Sequence, residues 1–287
     1  MRDEHRIRPM TGDDIEPAAE VMVGGGWGDR RRFLRFALEH PAMVPLVAEI
    51  EGKVVGTGVA TVNGAVGWVG LIFVDEGLRG RGIGTALTEA VMAELAAAGC
   101  SSFVLLASPL GRPIYERLGF TAEMDYRVIA APGLGRARPV SGGTRPTLAR
   151  LRPYTSADLP AITDLDRAAT GEDRRHLLLA VVDPASTVVA IGPDGRIVGY
   201  EARASWGGHP VVAPELADGV RLLEDRRART AVGTDARTAL PEIDRAGLTA
   251  LENLGWHLER SLVRMTRGKP IHWRPEAIWG QFSYAIG

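Results

Sequence analysis

Three phrases occur twice in this chain, each time in the same order. Arg6-Ile7-Arg8-Pro9-Met10, with Thr11, Asp14 and Ile15 behind it, returns as Arg150-Leu151-Arg152-Pro153-Tyr154, Thr155, Asp158 and Leu159. Glu51-Gly52-Lys53-Val54-Val55-Gly56 returns as Asp194-Gly195-Arg196-Ile197-Val198-Gly199, and Glu116-Arg117-Leu118-Gly119-Phe120 as Glu252-Asn253-Leu254-Gly255-Trp256. The first phrase reads as a short strand followed by a capped helix, with Thr as N-cap and Asp three residues on. The second reads as a hairpin turn entering a strand. Repetition of this kind restricts the chain to two copies of one fold. The predicted domains are 1–135 and 148–287, joined by a Pro/Gly/Ser-rich linker at 136–147.

Within the first copy the informative stretch runs from Trp68 to Phe120. Trp68-Val69-Gly70-Leu71-Ile72-Phe73-Val74-Asp75 is apolar at odd and even positions alike, as in a strand buried on both faces. A turn follows, Arg79-Gly80-Arg81-Gly82-Ile83-Gly84, and then a helix in which Leu87, Val91 and Leu95 recur at spacing four and Gly99 caps the end. Strand, glycine turn and helix together make an anion site. The first helix amides have no intrahelical partners and carry the positive end of the dipole. Glycines let the backbone approach a ligand, and Arg79 and Arg81 supply forked donors suited to phosphate. A pyrophosphate fits this chemistry. The turn lacks the Gly-Lys-Ser/Thr ending of a P-loop and the GxGxxG spacing of a dinucleotide fold.

The turn resembles the acetyl-coenzyme A signature of the GCN5-related N-acetyltransferases (GNAT), Arg/Gln-x-x-Gly-x-Gly/Ala, through Arg79, Gly82 and Gly84. The second landmark of that family, Tyr-x-x-Leu-Gly-Phe, is matched by Tyr115, Leu118, Gly119 and Phe120. The resemblance implies an α/β fold, a mixed and mostly antiparallel sheet flanked by helices, present here as two tandem GNAT-like domains. It implies that the sheet splays after the central strand and that pantetheine lies in the gap. Coenzyme contacts are then expected from Ile72, Phe73 and Val74 on the strand and from Arg79, Gly80, Arg81, Gly82, Ile83, Gly84 and Thr85 at the turn. Tyr115 becomes the general acid for the departing thiolate. The asparagine often found seven residues before that tyrosine is Ser108 here.

The second copy departs from the pattern. The interval from the second phrase to the third is shorter, 53 positions from Gly199 to Glu252 against 60 from Gly56 to Glu116. Where the glycine turn is expected the chain reads GVRLLEDRRART, Gly219 to Thr230, with Glu224 and Asp225 in place of open backbone. Leu251 stands where Tyr115 stands in the first copy, and it has no proton to give. The second copy is therefore expected to be non-catalytic. Its tail, from His272 on, holds Trp273, Trp279, Phe282 and Tyr284, and is expected to dock in a groove between the copies rather than stay disordered.

Bulk properties exclude several functions. The net charge of −1 gives no global field for nucleic acid or an anionic membrane. No apolar run approaches the ~20 residues of a membrane span, and the N-terminus has no secretory core. One cysteine, Cys100, excludes an internal disulfide and fits a cytoplasmic protein. The six histidines (5, 40, 176, 209, 257, 272) show no metal-ligand spacing, so no metal is expected. No GxSxG and no paired cysteine base occurs, in keeping with direct transfer. The expected function is acetyl transfer from acetyl-CoA to a small-molecule amine, by a monomer or homodimer. A coenzyme-binding regulatory protein and a transferase of larger acyl groups are the alternatives. Glu49, Asp75 and Glu123 are the candidate bases.

Overall fold

The computed structural model describes residues 5–136 and 149–287, so the predicted linker lies outside the described residues except for Arg136. The chain divides into two compact units. Of the described residues, unit 1 comprises 5–123, 264–270 and 284–287, and unit 2 comprises 124–136, 149–263 and 271–283.

In unit 1, β1 (Arg6–Pro9) runs antiparallel to β2 (Met43–Ile50), with Arg6 opposite Glu49. β2 pairs with β3 (Lys53–Asn63) across the turn at Glu51 and Gly52, both at positive φ as a two-residue hairpin turn demands. β3 is antiparallel to β4 (Val66–Val74), and β4 is parallel to β5 (Ser102–Ala107). The C-terminal half of β12 (His257–Gly268) lies beside β5.

Helices cover both faces of this sheet. α1 (Ile15–Gly24) and α2 (Arg31–Glu39) bury Ile15, Ala18, Ala19, Met22 and Leu34 against Val47, Val54 and Phe73. α3 (Ile83–Ala97) buries Leu87, Val91 and Leu95 completely on the opposite face. Gly58 and Gly67 make room there: a Cβ at either would meet Val91 or Leu95. Glu89 and Glu94 stay exposed, as the spacing predicts. α4 (Arg112–Arg117) follows β5, and Arg267 Nη1 caps its end by donating to the carbonyl of Leu118 at 2.6 Å.

In unit 2, β7 (Arg150–Pro153), β8 (Val188–Ile191), β9 (Ile197–Glu201), β10 (Val211–Val212) and β13 (Ile278–Gly280) form an antiparallel sheet in that order. The helices are α5 (Leu159–Thr170), α6 (Arg175–Val181), α7 (Leu216–Arg229) and α8 (Arg245–Asn253). β11 (Asp235–Pro241) pairs with residues 126–132 of β6 (Thr121–Pro132), and residues 133–136 continue the attachment, with Gly133 N bonded to Thr234 O at 2.9 Å. The tail supplies β13 of that antiparallel sheet: Trp279 is buried and its Nε1 donates to the carbonyl of Ala213 at 3.0 Å. Phe282 lies 5.0 Å from the guanidinium of Arg174, whose buried ion pair with Asp166 also accepts the hydroxyl of Tyr200.

The two first phrases fold alike. Arg8 grips Asp14 with two bonds of 2.7 and 2.8 Å, and Arg152 grips Asp158 with two of 2.7 Å. Thr11 and Thr155 complete a capping box in each copy. The contact units nonetheless do not follow the halves of the sequence. Residues 124–135 of the first half lie in unit 2, and 264–270 and 284–287 of the second half lie in unit 1.

Candidate active site

The β4–β5 pairing is short. Val66, Gly67 and Trp68 face Ser102, Phe103 and Val104, and no pair is registered beyond them. β4 continues to Val74 and β5 to Ala107, so the two strands part after Trp68. On its other side, β4 carries a bulge. Thr57 pairs with Phe73 and Val59 with Gly70, which leaves Gly58 alone opposite both Leu71 and Ile72. Leu71 takes φ +52°, a conformation a leucine adopts only where its surroundings impose it. The hydroxyl of buried Thr57 donates to the Leu71 carbonyl at 2.9 Å and fixes the bulge.

An inserted residue reverses which face the following side chains show. Ile72 turns toward Gly58 on the α3 face, Phe73 toward Gly25 on the α1 face, and Val74 toward Gly84 at the start of α3. The bulge thus turns the backbone of β4 where its β5 neighbour has left. No residue pattern announces it, since leucine is a poor residue for positive φ. Gly25 and Trp27, in the loop after α1, were also missed. Trp27 meets Phe73 edge to face, with centroids 5.2 Å apart, and the run Gly24-Gly25-Gly26-Trp27-Gly28 was the available signal.

The glycine turn lies at the end of β4. Gly80 and Gly82 have φ of +80° and +86°, and a Cβ at either would have open space around it. Their glycines therefore serve the backbone conformation and leave the approach clear. Gly82 is the N-cap of α3, and the first internal bond of that helix runs from Ala86 N to Gly82 O. The amides of Ile83, Gly84 and Thr85 thus precede the intrahelical ladder. Ile83 itself is buried, whereas Gly84 lies between Ile114 of α4 and Val74 of β4, its notional Cβ 3.5 and 3.7 Å from their side chains. Arg79 and Arg81 are exposed. Arg79 folds back on the strand, with Nη1 2.9 Å from Glu76 Oε1, Nε 3.2 Å from the carbonyl of Val74, and its guanidinium 5.8 Å from the Phe73 ring.

Tyr115 follows Ile114 on α4 and is buried. Burial pushes its hydroxyl well above the ordinary tyrosine range, and desolvation is the only influence on it. The hydroxyl has no hydrogen-bond partner among the described residues, while the ring packs on Phe120. Such a phenol stays protonated at neutral pH and keeps its proton available for a ligand.

The candidate bases are engaged elsewhere. Glu49 accepts Arg8 Nε at 2.8 Å, Asp75 accepts the amide of Gly77 at 2.9 Å, and Glu123 accepts Arg264 Nε at 2.8 Å. Cys100 is buried, its thiol is pushed up by desolvation, and it donates to the Gly64 carbonyl at 3.8 Å. Among the described residues no group of three or more His, Cys, Asp or Glu is placed to hold a metal ion, and no helix is long and apolar enough to cross a membrane.

Comparison with known proteins bears on this arrangement. A model of the "Acetyltransferase (GNAT) family" matches residues 13–120, and one of the "Acetyltransferase (GNAT) domain" matches residues 162–280. The chain belongs to the GNAT acetyltransferase family. It carries one GNAT domain in each half. Its fold is similar to that of a Pyrococcus horikoshii protein assigned as an acetyltransferase, with a TM-score of 0.79 at 21% identity over 99% of this chain and 96% of the other. It is also similar to a tandem GNAT protein from the clavulanic acid biosynthesis pathway, with a TM-score of 0.62 at 14% identity over 94% of this chain and 100% of the other. Both likenesses are of fold. Over 125 residues the sequence is 33% identical to the chloroplastic serotonin N-acetyltransferase 2 of Oryza sativa subsp. japonica. That match covers 41% of this chain and 62% of the relative's length.

The second GNAT domain lacks the features of the first. The stretch Gly219–Thr230, expected to replace the glycine turn, is instead the body of α7 and the residue after it. Glu224 and Asp225 therefore do not face a phosphate position: Glu224 accepts Trp256 Nε1 at 2.7 Å, and Asp225 accepts Arg229 Nε at 2.8 Å. The acidic residues at the start of α7 are Glu215, its N-cap, and Asp218 in the first turn. The strand before α7, β10, has two residues where β4 has nine. Leu251 is a fully buried core residue of α8.

Proposed function

We propose that this GNAT protein is an N-acetyltransferase that takes its acetyl group from acetyl-coenzyme A, bound in unit 1, and passes it directly to the amine of a small molecule. The observation that carries this reading is the parting of β4 from β5 after Trp68, beside a bulge at Leu71 and a glycine turn that starts α3. A thioester arm needs a gap in the sheet with free backbone along one side, and a pyrophosphate needs unpaired amides with no side chain in front. Unit 1 offers both. Ile83, Gly84 and Thr85 would hold the pyrophosphate with Arg79 and Arg81 at its rim, and the backbone of Leu71 to Val74 would hold the pantetheine arm.

The coenzyme supplies an acetyl group already activated as a thioester. The chain's part is to orient it, exclude water and hold a proton for the departing sulfur. Tyr115 is the proton donor in this scheme, and its raised pKa keeps it in the donating form. No carboxylate is assigned as base, because Glu49, Asp75 and Glu123 each serve a structural bond. The amine therefore arrives neutral, having lost one proton to solvent, and after attack its nitrogen gives up a second, which replaces the proton Tyr115 passes to the sulfur.

The deciding experiment is a panel of amine acceptors with acetyl-coenzyme A, following release of free thiol, alongside calorimetric titration with coenzyme A. Amine-dependent thiol release is expected. Tight coenzyme binding without release for any acceptor would turn the reading to a coenzyme-binding protein without turnover.

A further inference from the structure

Far along the sequence, a four-residue segment returns to the central strand of unit 1. Up to Gly70 the side chains of β4 alternate: Gly67 lies against Leu95 of α3, and Trp68 and Gly70 show the opposite face. On that opposite face lie Ala285 and Gly287 of the segment Tyr284–Gly287. A Cβ at Gly70 would collide with the backbone of Ala285, and one at Gly287 would meet the indole of Trp68 at 2.8 Å. Asn63, fully buried at the end of β3, donates from Nδ2 to the carbonyl of Ile286 at 3.2 Å. The segment is thus seated by close backbone approach to a glycine and held by a buried amide.

The place is chemically significant. The residue after Gly70 is Leu71, the bulge, so Ala285 rests one residue from the point where β4 turns its backbone toward the gap. If the coenzyme is held as proposed above, it enters from the α3 side, because the glycine turn and the α3 amides lie there. The amine must then reach the same gap from the other face. Of the groups around the bulge on that face, Ala285 covers Gly70 before it, and the Trp27–Phe73 pair stands after it.

We infer that Tyr284–Gly287 is the acceptor-side wall of the catalytic centre and limits the width of the amine admitted, favouring a slender unbranched primary amine over a branched one. The inference rests on the proposed function and goes beyond it in assigning specificity to a segment that no GNAT motif contains. Ala285 and Ile286 act through their backbone, so they shape the entrance and take no part in proton transfer.

Two variants test it: a chain lacking Tyr284–Gly287, and the full chain with Asn63→Ala, which removes the clamp and keeps the segment. Three quantities are compared with the unchanged protein. They are coenzyme A affinity by calorimetry, acetyl-coenzyme A hydrolysis without amine, and kcat/KM for n-butylamine and sec-butylamine. Both variants should bind coenzyme A within threefold of the original. Hydrolysis should rise at least fivefold, since water is the smallest acceptor, and the branched-to-unbranched ratio should rise at least tenfold. An unchanged hydrolysis rate in either folded variant that still binds coenzyme A overturns the wall, whether or not either amine is accepted. Failure of the underlying function is distinct, because the unchanged protein would then either bind no coenzyme A or release no thiol with any amine, before a variant is compared.

Discussion

Tyr115 and Phe120 meet edge to face, with ring centroids 6.1 Å apart and planes inclined at 68°. The contact fixes the phenol ring and leaves its hydroxyl for a ligand, so ring and proton are separable by mutation. Tyr115→Phe keeps the contact and removes the proton. Turnover should fall at least tenfold, the low side of the roughly 10²–10⁴-fold range for general acids, while coenzyme affinity stays within about twofold. Steady-state kinetics beside calorimetry decides; full turnover would reassign Tyr115 to packing.

Gly82 is held at φ +86° with open space where a Cβ would stand. Gly82→Ala should lower stability by about 1–2 kcal/mol, the cost of left-handed backbone for an L-residue, and weaken coenzyme binding severalfold. Gly82→Asp adds a carboxylate at the proposed phosphate position and should abolish binding. Thermal melts and titration of both variants separate strain from charge. Unchanged affinity in a folded Asp variant would remove the turn from the site.

Coenzyme A should bind once per chain. α7 begins with Glu215 and Asp218, and β10 is too short to part from a neighbour. A calorimetric stoichiometry of two would show that unit 2 keeps a working cradle.

Acid should weaken both copies together. The Arg8 guanidinium draws the Asp14 carboxyl down to about 2, and Arg152 does the same for Asp158. A depressed folded-state pKa contributes stability that is complete above the unfolded value of roughly 3.9 and is lost as pH falls through the folded value. Each pair should contribute on the order of 2 kcal/mol above pH ~5, fading between pH ~4 and ~2. Melting temperatures measured over that window should fall steeply, and less steeply in Asp14→Asn and Asp158→Asn. Parallel curves for variants and parent would refute the assignment.

With no carboxylate assigned as base, log(kcat/KM) should climb with pH at unit slope up to the acceptor's own pKa. The raised Tyr115 pKa postpones alkaline loss beyond the ordinary tyrosine value of ~10. Acceptors of different basicity should shift the inflection accordingly. One inflection common to all of them would reveal a titrating protein base.

The sequence disclosed whatever is encoded over a few neighbouring residues. Thr11 with Asp14 and Thr155 with Asp158 announced capped helices, and Leu87, Val91 and Leu95 announced the buried stripe of α3. The parting of β4 and β5 came from family resemblance and from no pattern in the strand. The Leu71 bulge was hidden because leucine does not favour positive φ; pairing with Thr57 and Val59 imposes it. Gly219–Thr230, aligned by the repeat with the glycine turn, is helix and its C-cap residue instead. Its Leu222 and Leu223 belong to the packed face of α7. Which strands pair across 130 residues or more is set by tertiary contacts, and local pattern carries no record of it.

Arg267, which caps the helix of Tyr115, lies 149 residues beyond the carbonyl it holds. On a ribosome the glycine turn and Tyr115 emerge well before residues 264–270 and 284–287, which complete the unit around them. The nascent first half must wait with an edge of its sheet unmet, a vulnerable interval for aggregation. A fragment ending near residue 135 is for the same reason an interrupted domain.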